Sequence, residues 1–290
     1  MQIGLDPAGA GLQAADGCMW LDRRYGDVLR QAGLATLDDV MATRLGRCLR
    51  VLPDRENWHL SSECFPGLPV GMYLKKHCVR TWSTLARAKL GMAAPASAGR
   101  IEAQNVRRLA ELGIDTMRLA AYGQRLCADG RLESFLLTEE LQGYCELREF
   151  VLRRFRPSAE RGARRDHDFH RLVRQLAGIA RQLHRAGYNH RDFNAYHFLI
   201  REGSPGQFDL RLIDLQRMQR RRWLRRRWIV KDLAQLAGTM PDGQVRGRDK
   251  LAFLRHYLGV RRLRPEDKRL VRDVLQKQRL IQRRERRKAL

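Results

Sequence analysis

The sequence predicts an α+β fold in two parts, a strand-rich first half and a mainly helical second half. Three observations carry this. Short alternating or β-branched runs recur before Leu141, apolar residues take helical spacing after it, and a two-strand hairpin interrupts the helical part.

The elements follow in order. Cys48-Leu49-Arg50-Val51-Leu52, Gly71-Met72-Tyr73-Leu74-Lys75 and Ser134-Phe135-Leu136-Leu137-Thr138 read as strands, in which successive side chains point to opposite faces. One helix is expected among them, over Ile101 to Leu112, where Ile101, Val106, Leu109, Ala110 and Leu112 share a stripe and Gly113 stops it. Gly91 to Gly99 reads as a loop. In the second half Leu172, Val173, Leu176, Ile179, Ala180 and Leu183 mark a helix from Phe169 to Ala186, closed by Gly187. Gly203-Ser204-Pro205-Gly206 turns Phe198-Leu199-Ile200 back onto Leu210-Arg211-Leu212-Ile213. The boundaries expected are an N-terminal extension without assigned structure over 1–43, a small unit over 44–141 and a larger one over 142–290, ending in a basic helical segment.

With 290 residues, 43% apolar and 31% charged, the chain can bury a core, which excludes a disordered or collagenous protein. Lys and Arg exceed Asp and Glu by 57 to 32, a formal charge of +25. Such an excess implies an anionic partner: nucleic acid, a membrane surface or a phosphorylated substrate. It is concentrated in Arg220 to Trp228 and in the last thirty residues, which carry thirteen Lys/Arg against four Asp/Glu. The Met1 region lacks the basic start and apolar run of a secretory signal, and no stretch reaches the ~18 apolar residues of a membrane span, so an intracellular protein is expected. The 6 cysteines form no C-x-x-C pair, and free thiols are expected.

The chemistry is concentrated in His190-Arg191-Asp192, which follows the long helix, and Ile213-Asp214-Leu215, which follows the hairpin. Phosphoryl transfer needs one carboxylate to accept the proton of the attacking hydroxyl and a second to hold the metal that bridges nucleotide phosphates. Asp192 and Asp214 suit those roles. A cation on the phosphates is also needed, and on a strand only one of Lys75 and Lys76 can face the site. Glu102, on the expected helix 27 residues after Lys75, is its best partner. Phe135 to Leu141 (FLLTEEL) fits a last strand running into a hinge whose main chain, at Glu139 and Leu141, pairs with adenine. Lysine, acid, hinge, Asp192 and Asp214 follow the order of a protein-kinase-like fold. His190 reads as a scaffold histidine bonded to backbone, and Asp232 as a residue that orders the catalytic loop. His184, His190 and His197 lack the i, i+4 spacing of a zinc helix.

On LKKH (Leu74 to His77), RLAELGIDTM (Arg108 to Met117) with LAAYG (Leu119 to Gly123), FLLTEEL, HRAGYNHRDFNAYHFL (His184 to Leu199), LIDLQRMQ and KDLAQL (Lys231 to Leu236), the chain resembles the lipopolysaccharide core heptose kinases among the Kdo and heptose kinases. The resemblance covers roughly Arg44 to Met240 and includes their HRD-x-x-x-x-H form, His190 to His197. It implies a two-lobe protein-kinase-like fold, with a small strand-rich N-lobe holding one main helix and a larger helical C-lobe. It further implies ATP and Mg2+ as cofactors, and phosphorylation of a heptose hydroxyl of the lipopolysaccharide core, or another phosphorylated glycolipid, by an enzyme peripheral on the cytoplasmic face of the inner membrane. An acyl carrier is a further implied partner. Asp192 becomes the base, Asp214 with His197 the metal site, Lys75 with Glu102 the phosphate clamp, and Glu139 with Leu141 the nucleotide contacts. His197 stands where protein kinases usually have Asn as a metal ligand, and no G-x-G-x-x-G occurs near Gly46, so the phosphate-covering loop is built otherwise; Leu-Gln follows Asp214 in place of Phe-Gly and no A-P-E appears downstream, which counts against a protein Ser/Thr/Tyr substrate. A basic nucleic-acid-binding protein would leave the ordered set unexplained. The arginines and tryptophans of Arg220 to Trp228 suit an anionic membrane surface, indoles at headgroup level and guanidiniums on phosphates.

Overall fold

Alternating apolar positions build one seven-stranded sheet early in the chain. The computed structural model describes residues 12–14, 18–156 and 163–288. The chain divides into two units, Met1–Arg107 with Met117–Gln142 and Arg108–Thr116 with Gly143–Leu290.

The first unit contains β1 (Leu12–Ala14), β2 (Met19–Asp22), α1 (Gly26–Gln31), α2 (Leu37–Ala42), β3 (Arg47–Leu52), β4 (Arg55–Leu60), β5 (Met72–Arg80), α3 (Trp82–Lys89), α4 (Ala98–Glu111), β6 (Leu119–Leu126) and β7 (Arg131–Glu139). The strand order is β1-β2-β6-β7-β5-β4-β3, with every neighbouring pair antiparallel. Of the expected N-terminal extension, residues 1–11 and 15–17 lie outside the described residues, while Met19, Tyr25, Leu29, Leu34, Leu37 and Val40 are buried in the same core as Leu60, Phe65, Met72, Leu74, Phe135 and Leu137. Burying each such large side chain contributes about 1.5–3 kcal/mol.

Between β3 and β7 two helices interrupt the strands where one was expected. Thr81 starts the additional one, α3, its hydroxyl accepting the Thr84 N–H at 3.2 Å in a capping box. Helix α4 begins three residues before Ile101. Gly99 explains how closely it lies on the sheet: a Cβ there would stand 2.7 Å from the Phe135 carbonyl oxygen. That approach brings Glu102, one turn on, down onto β5.

The second unit contains β8 (Cys145–Glu146), α5 (Leu147–Arg154), α6 (Ala163–Arg185), β9 (Tyr188–Asn189), β10 (Phe198–Glu202), β11 (Phe208–Leu212), β12 (Gln219–Arg220), α7 (Arg225–Thr239), α8 (Gly247–Leu258) and α9 (Pro265–Lys288). The expected hairpin is β10-β11, with β8 on its other edge. Its inward residues Phe198, Ile200, Phe208, Leu210 and Leu212 are buried. Phe155 makes an edge-to-face contact with Phe169 at 4.9 Å and Phe150 with Phe208 at 5.8 Å, which join α5, α6 and the hairpin. Beside them Arg154 bridges Asp168 (3.1 Å) and Glu202 (3.0 Å). The pair β9-β12 stands apart from the hairpin and carries the loop that matters for chemistry.

All 6 cysteines are free thiols. Among the described residues no helix is long and apolar enough to cross a membrane.

Candidate active site

Strand β5 resolves the choice between the two lysines. Lys75 points with half-buried neighbours and its ammonium lies 2.7 Å from Glu102, whose side chain is fully buried. Lys76 goes to the other face and is itself buried. Its ammonium donates to the Met41 (3.1 Å) and Thr43 (2.6 Å) carbonyls and stands 5.2 Å from the centre of the Trp58 ring. Burial pushes the Lys76 ammonium down to about 8. Lys76 is therefore a tie between β5 and the end of α2, and Lys75 is the lysine left for phosphates. The second Glu102 oxygen is buried without a partner, so this carboxylate depends on Lys75 for its charge balance.

At the end of β7 the Glu139 N–H donates to the Arg118 carbonyl at 3.0 Å, and the Glu140 N–H to Gly71 at 2.9 Å. The Glu139 carboxylate accepts from the Tyr25 hydroxyl and pairs with Arg118 at 3.5 Å. Its side chain thus fastens the N-terminal helices to the sheet, which leaves only main-chain atoms of this segment to meet a base. Leu141 follows, half-buried, and no hydrogen bond among the described residues takes its N–H.

In the second unit Asp232, fully buried on α7, holds the loop after β9. Its Oδ2 accepts the His190 N–H at 2.9 Å and Oδ1 accepts the Arg191 N–H at 3.0 Å. His184 reaches the same carboxylate at 3.3 Å. These bonds hold Arg191 in the left-handed region at φ 73, which costs a non-glycine residue on the order of 1–3 kcal/mol. His190 has no exposed surface, and its Nε2 donates to the Ile213 carbonyl at 3.0 Å. Burial lowers its pKa and keeps it neutral. It is the scaffold histidine expected, and it links Asp192 to Asp214 through one bond to the residue before Asp214.

Asn194 caps the short turn after Asp192, its Oδ1 accepting the Tyr196 and His197 N–H groups at 3.0 and 3.1 Å. The turn brings His197 Nδ1 to the Asp192 carbonyl at 2.8 Å, which assigns the ring proton to Nδ1. In the neutral ring Nε2 then carries the lone pair, 3.4 Å from Asp214 Oδ2. Asp214 is also left-handed, at φ 58, and its Oδ1 is buried without a partner. Two lone-pair-bearing atoms face to face beside an orphaned carboxylate oxygen fit a divalent cation. No group of three or more His, Cys, Asp and Glu able to hold a metal occurs among the described residues. Mg2+ takes one or two protein carboxylates and completes its shell with water and nucleotide phosphates.

Asp192, like Asp214, is partly exposed. Arg217 Nη1 reaches its two carboxylate oxygens at 2.9 and 3.2 Å, and Lys231 donates to the carbonyl of Arg191, the residue before it. Neither Arg217 nor Lys231 was singled out from sequence. The only signal for Arg217 is a cation three residues after Asp214, which an arginine-rich chain hides.

The lipopolysaccharide kinase (Kdo/WaaP) family matches residues 62–257. The lipopolysaccharide core heptose(I) kinase WaaP of Pseudomonas aeruginosa is 37% identical over 191 residues, 64% of this chain and 69% of that one. That of Escherichia coli K12 is 28% identical over 192 residues, 65% and 70% of the two chains. A solved structure of "WaaP in complex with acyl carrier protein" superposes with a TM-score of 0.66 at 31% identity, over 93% of this chain and 98% of that one. The expected kinase-like α+β fold is thereby found, and the chain, a kinase, belongs to the lipopolysaccharide kinase (Kdo/WaaP) family.

Proposed function

We propose that this kinase transfers the γ-phosphoryl group of ATP, as its Mg2+ complex, to a heptose hydroxyl of the lipopolysaccharide inner core at the cytoplasmic face of the inner membrane. The observation that carries the reading is the Asp192, His197 and Asp214 arrangement, held by buried Asp232 and His190, in a chain whose relatives are named heptose(I) kinases. Asp192 accepts the proton of the attacking hydroxyl, since it is the partly exposed carboxylate of the loop after β9, and Arg217 orients it. Lys75, fixed by Glu102, places a positive charge on nucleotide phosphates. Asp214 and His197 would hold Mg2+, which when bound neutralises charge on the phosphate oxygens. The main chain at Glu139 and Leu141 would meet the adenine edge.

Two surfaces extend the proposal. Trp223 and Leu224, 83% and 70% exposed, stand out from the start of α7 with Arg220 and Arg222 exposed beside them, which supports peripheral docking on anionic lipid. The rest of the basic tract has other work. Arg225 donates to the His184 carbonyl at 2.6 Å, Arg226 pairs with Asp273 at 2.7 Å, and half-buried Trp228 lies under cations, so only one of its two tryptophans is free for a headgroup layer. A cavity of about 330 Å³ between α6, α7, α8 and α9 is lined almost wholly by apolar side chains, Phe169, Leu176, Leu236, Met240 and Val274 among them. An acyl chain delivered by an acyl carrier protein fits that chemistry, and the solved relative with acyl carrier protein supports it as a partner.

The test is incubation with γ-labelled ATP, Mg2+ and core oligosaccharides of defined structure. Label in a heptose supports the reading. Label only in protein, or none with any saccharide, contradicts it.

A further inference from the structure

Trp228 is surrounded by positive charge. The guanidinium carbons of Arg221 and Arg191 lie 4.9 and 5.1 Å from the centre of its ring, and the Arg227 guanidinium and the Lys231 ammonium 5.9 Å each. Among the described residues none of the four forms an ion pair, and the Asp192 and Asp232 carboxylates act on Lys231 only from beyond that distance. The Nε atoms of Arg191 and Arg221 are buried and have no hydrogen-bond partner. An indole face attracts each cation separately but does nothing for their mutual repulsion, whereas an anion placed among them satisfies both.

The fold places this cluster deliberately close to the chemistry. Arg221 extends from β12, and its N–H donates to the Gly187 carbonyl at 2.9 Å, beside the strand that runs into His190. Arg191 immediately precedes Asp192, and Lys231 donates to the Arg191 carbonyl. Three of the four cations are thus tied, by main chain or by hydrogen bond, to the segment that carries the base. The exposed arginines discussed for the membrane are different residues.

We infer that Arg191, Arg221 and Lys231, arrayed on Trp228, form an anion subsite that takes a carboxylate or phosphate of the acceptor saccharide and so orients the neighbouring hydroxyl toward Asp192. The inference rests on the kinase reading above and adds to it a requirement on the acceptor: an acidic substituent close to the phosphorylated hydroxyl.

The test uses the full chain, a deacylated core oligosaccharide with its acidic groups intact, and the same oligosaccharide carboxyl-reduced and dephosphorylated. Binding is measured by calorimetry with ADP present, and turnover by label transfer. A charge-assisted contact is worth about a factor of ten or more in affinity. Arg221→Gln is expected to raise Kd and KM for the acidic acceptor about tenfold, with little effect on the neutral one, and Arg221→Lys to restore part of the loss. Thermal melting of each variant checks that the fold persists. Equal effects on both acceptors, a shift in KM for ATP instead, or lost retention on anionic vesicles with an unmoved KM for the soluble acidic acceptor would each overturn the subsite. The two readings fail separately: acidic oligosaccharide that binds in an Arg221-dependent way without being phosphorylated refutes the proposed function and keeps the subsite.

Discussion

Replacing Asp232 by Asn is expected to loosen the loop that carries Asp192. Oδ2 accepts from His190, His184 and Asn189 at 2.9, 3.3 and 3.5 Å, whereas Oδ1 accepts only from the Arg191 N–H at 3.0 Å. The amide will therefore keep its oxygen at the first position and turn its NH2 against the Arg191 N–H. One charge-assisted bond is lost, about 1.5–3 kcal/mol, and a buried donor is left unmatched, about 1–3 kcal/mol. Relief from burying a carboxylate offsets part of this. The net is about 2–4 kcal/mol, which at about 2–4 °C per kcal/mol lowers Tm by roughly 5–15 °C. The lost bond is also the one that holds Arg191 at φ 73, so the loop gains freedom and kcat should fall about 10- to 100-fold, each 1.4 kcal/mol being a factor of ten. Differential scanning calorimetry and label transfer measure the two effects. A variant with wild-type Tm and wild-type kcat would refute the role given to Asp232.

His77, buried and pushed down to about 4 by burial with Lys75 and Arg55 nearby, stays neutral in the fold while the unfolded chain protonates near 6.5; stability should rise with pH between about 4 and 6.5 and be lost as pH falls through that window, by about 3 kcal/mol, and His77→Leu should flatten the slope seen in urea titrations. Arg220→Gln with Arg222→Gln should weaken retention on anionic vesicles roughly 30-fold, at about 1 kcal/mol per arginine, and Trp223→Ala should weaken it further; equal binding to neutral vesicles, or stronger retention on duplex DNA, contradicts the membrane surface. An acyl-loaded carrier protein should raise Tm and the unloaded carrier should not, since a ligand at a hundred times its Kd stabilises by about 2.7 kcal/mol, and Val274→Trp, which fills the cavity, should abolish the difference.

Much of the site was legible because kinase chemistry orders a few residue types along the chain. Asp192, Asp214, Lys75 and Glu102 are separated by elements whose periodicity is plain, and α4 seats Glu102 on Lys75 as its place after β5 implied. The choice of Lys75 over Lys76 was not legible, because alternation says only that they face opposite ways. The packing of Trp58 under Lys76 decides it. Residues 18–43 resisted reading because α1 and α2 have six residues each, too short to show a period. Trp228 read as an interface tryptophan, but helix α7 turns it beneath Arg191 and Arg221, residues that only the left-handed turns at Arg191 and Leu224 bring near. Glu139 illustrates the same limit. Its main chain fits a hinge, while its side chain is used 114 residues away in sequence, by Tyr25.

We propose that Asp192 and Asp214 serve phosphoryl transfer and that Asp232 and His190 hold the fold. Asn tolerates the left-handed backbone that Asp214 adopts at φ 58 and Asp192 is partly exposed, so Asp192→Asn and Asp214→Asn preserve shape while removing charge. Single-turnover transfer from γ-labelled ATP to a core oligosaccharide, with melting followed on the same samples, tests this most directly. Rates lower by on the order of 10² or more are expected, with a Tm close to that of the parent chain. Full turnover in either variant, or loss of rate that follows unfolding, would contradict it.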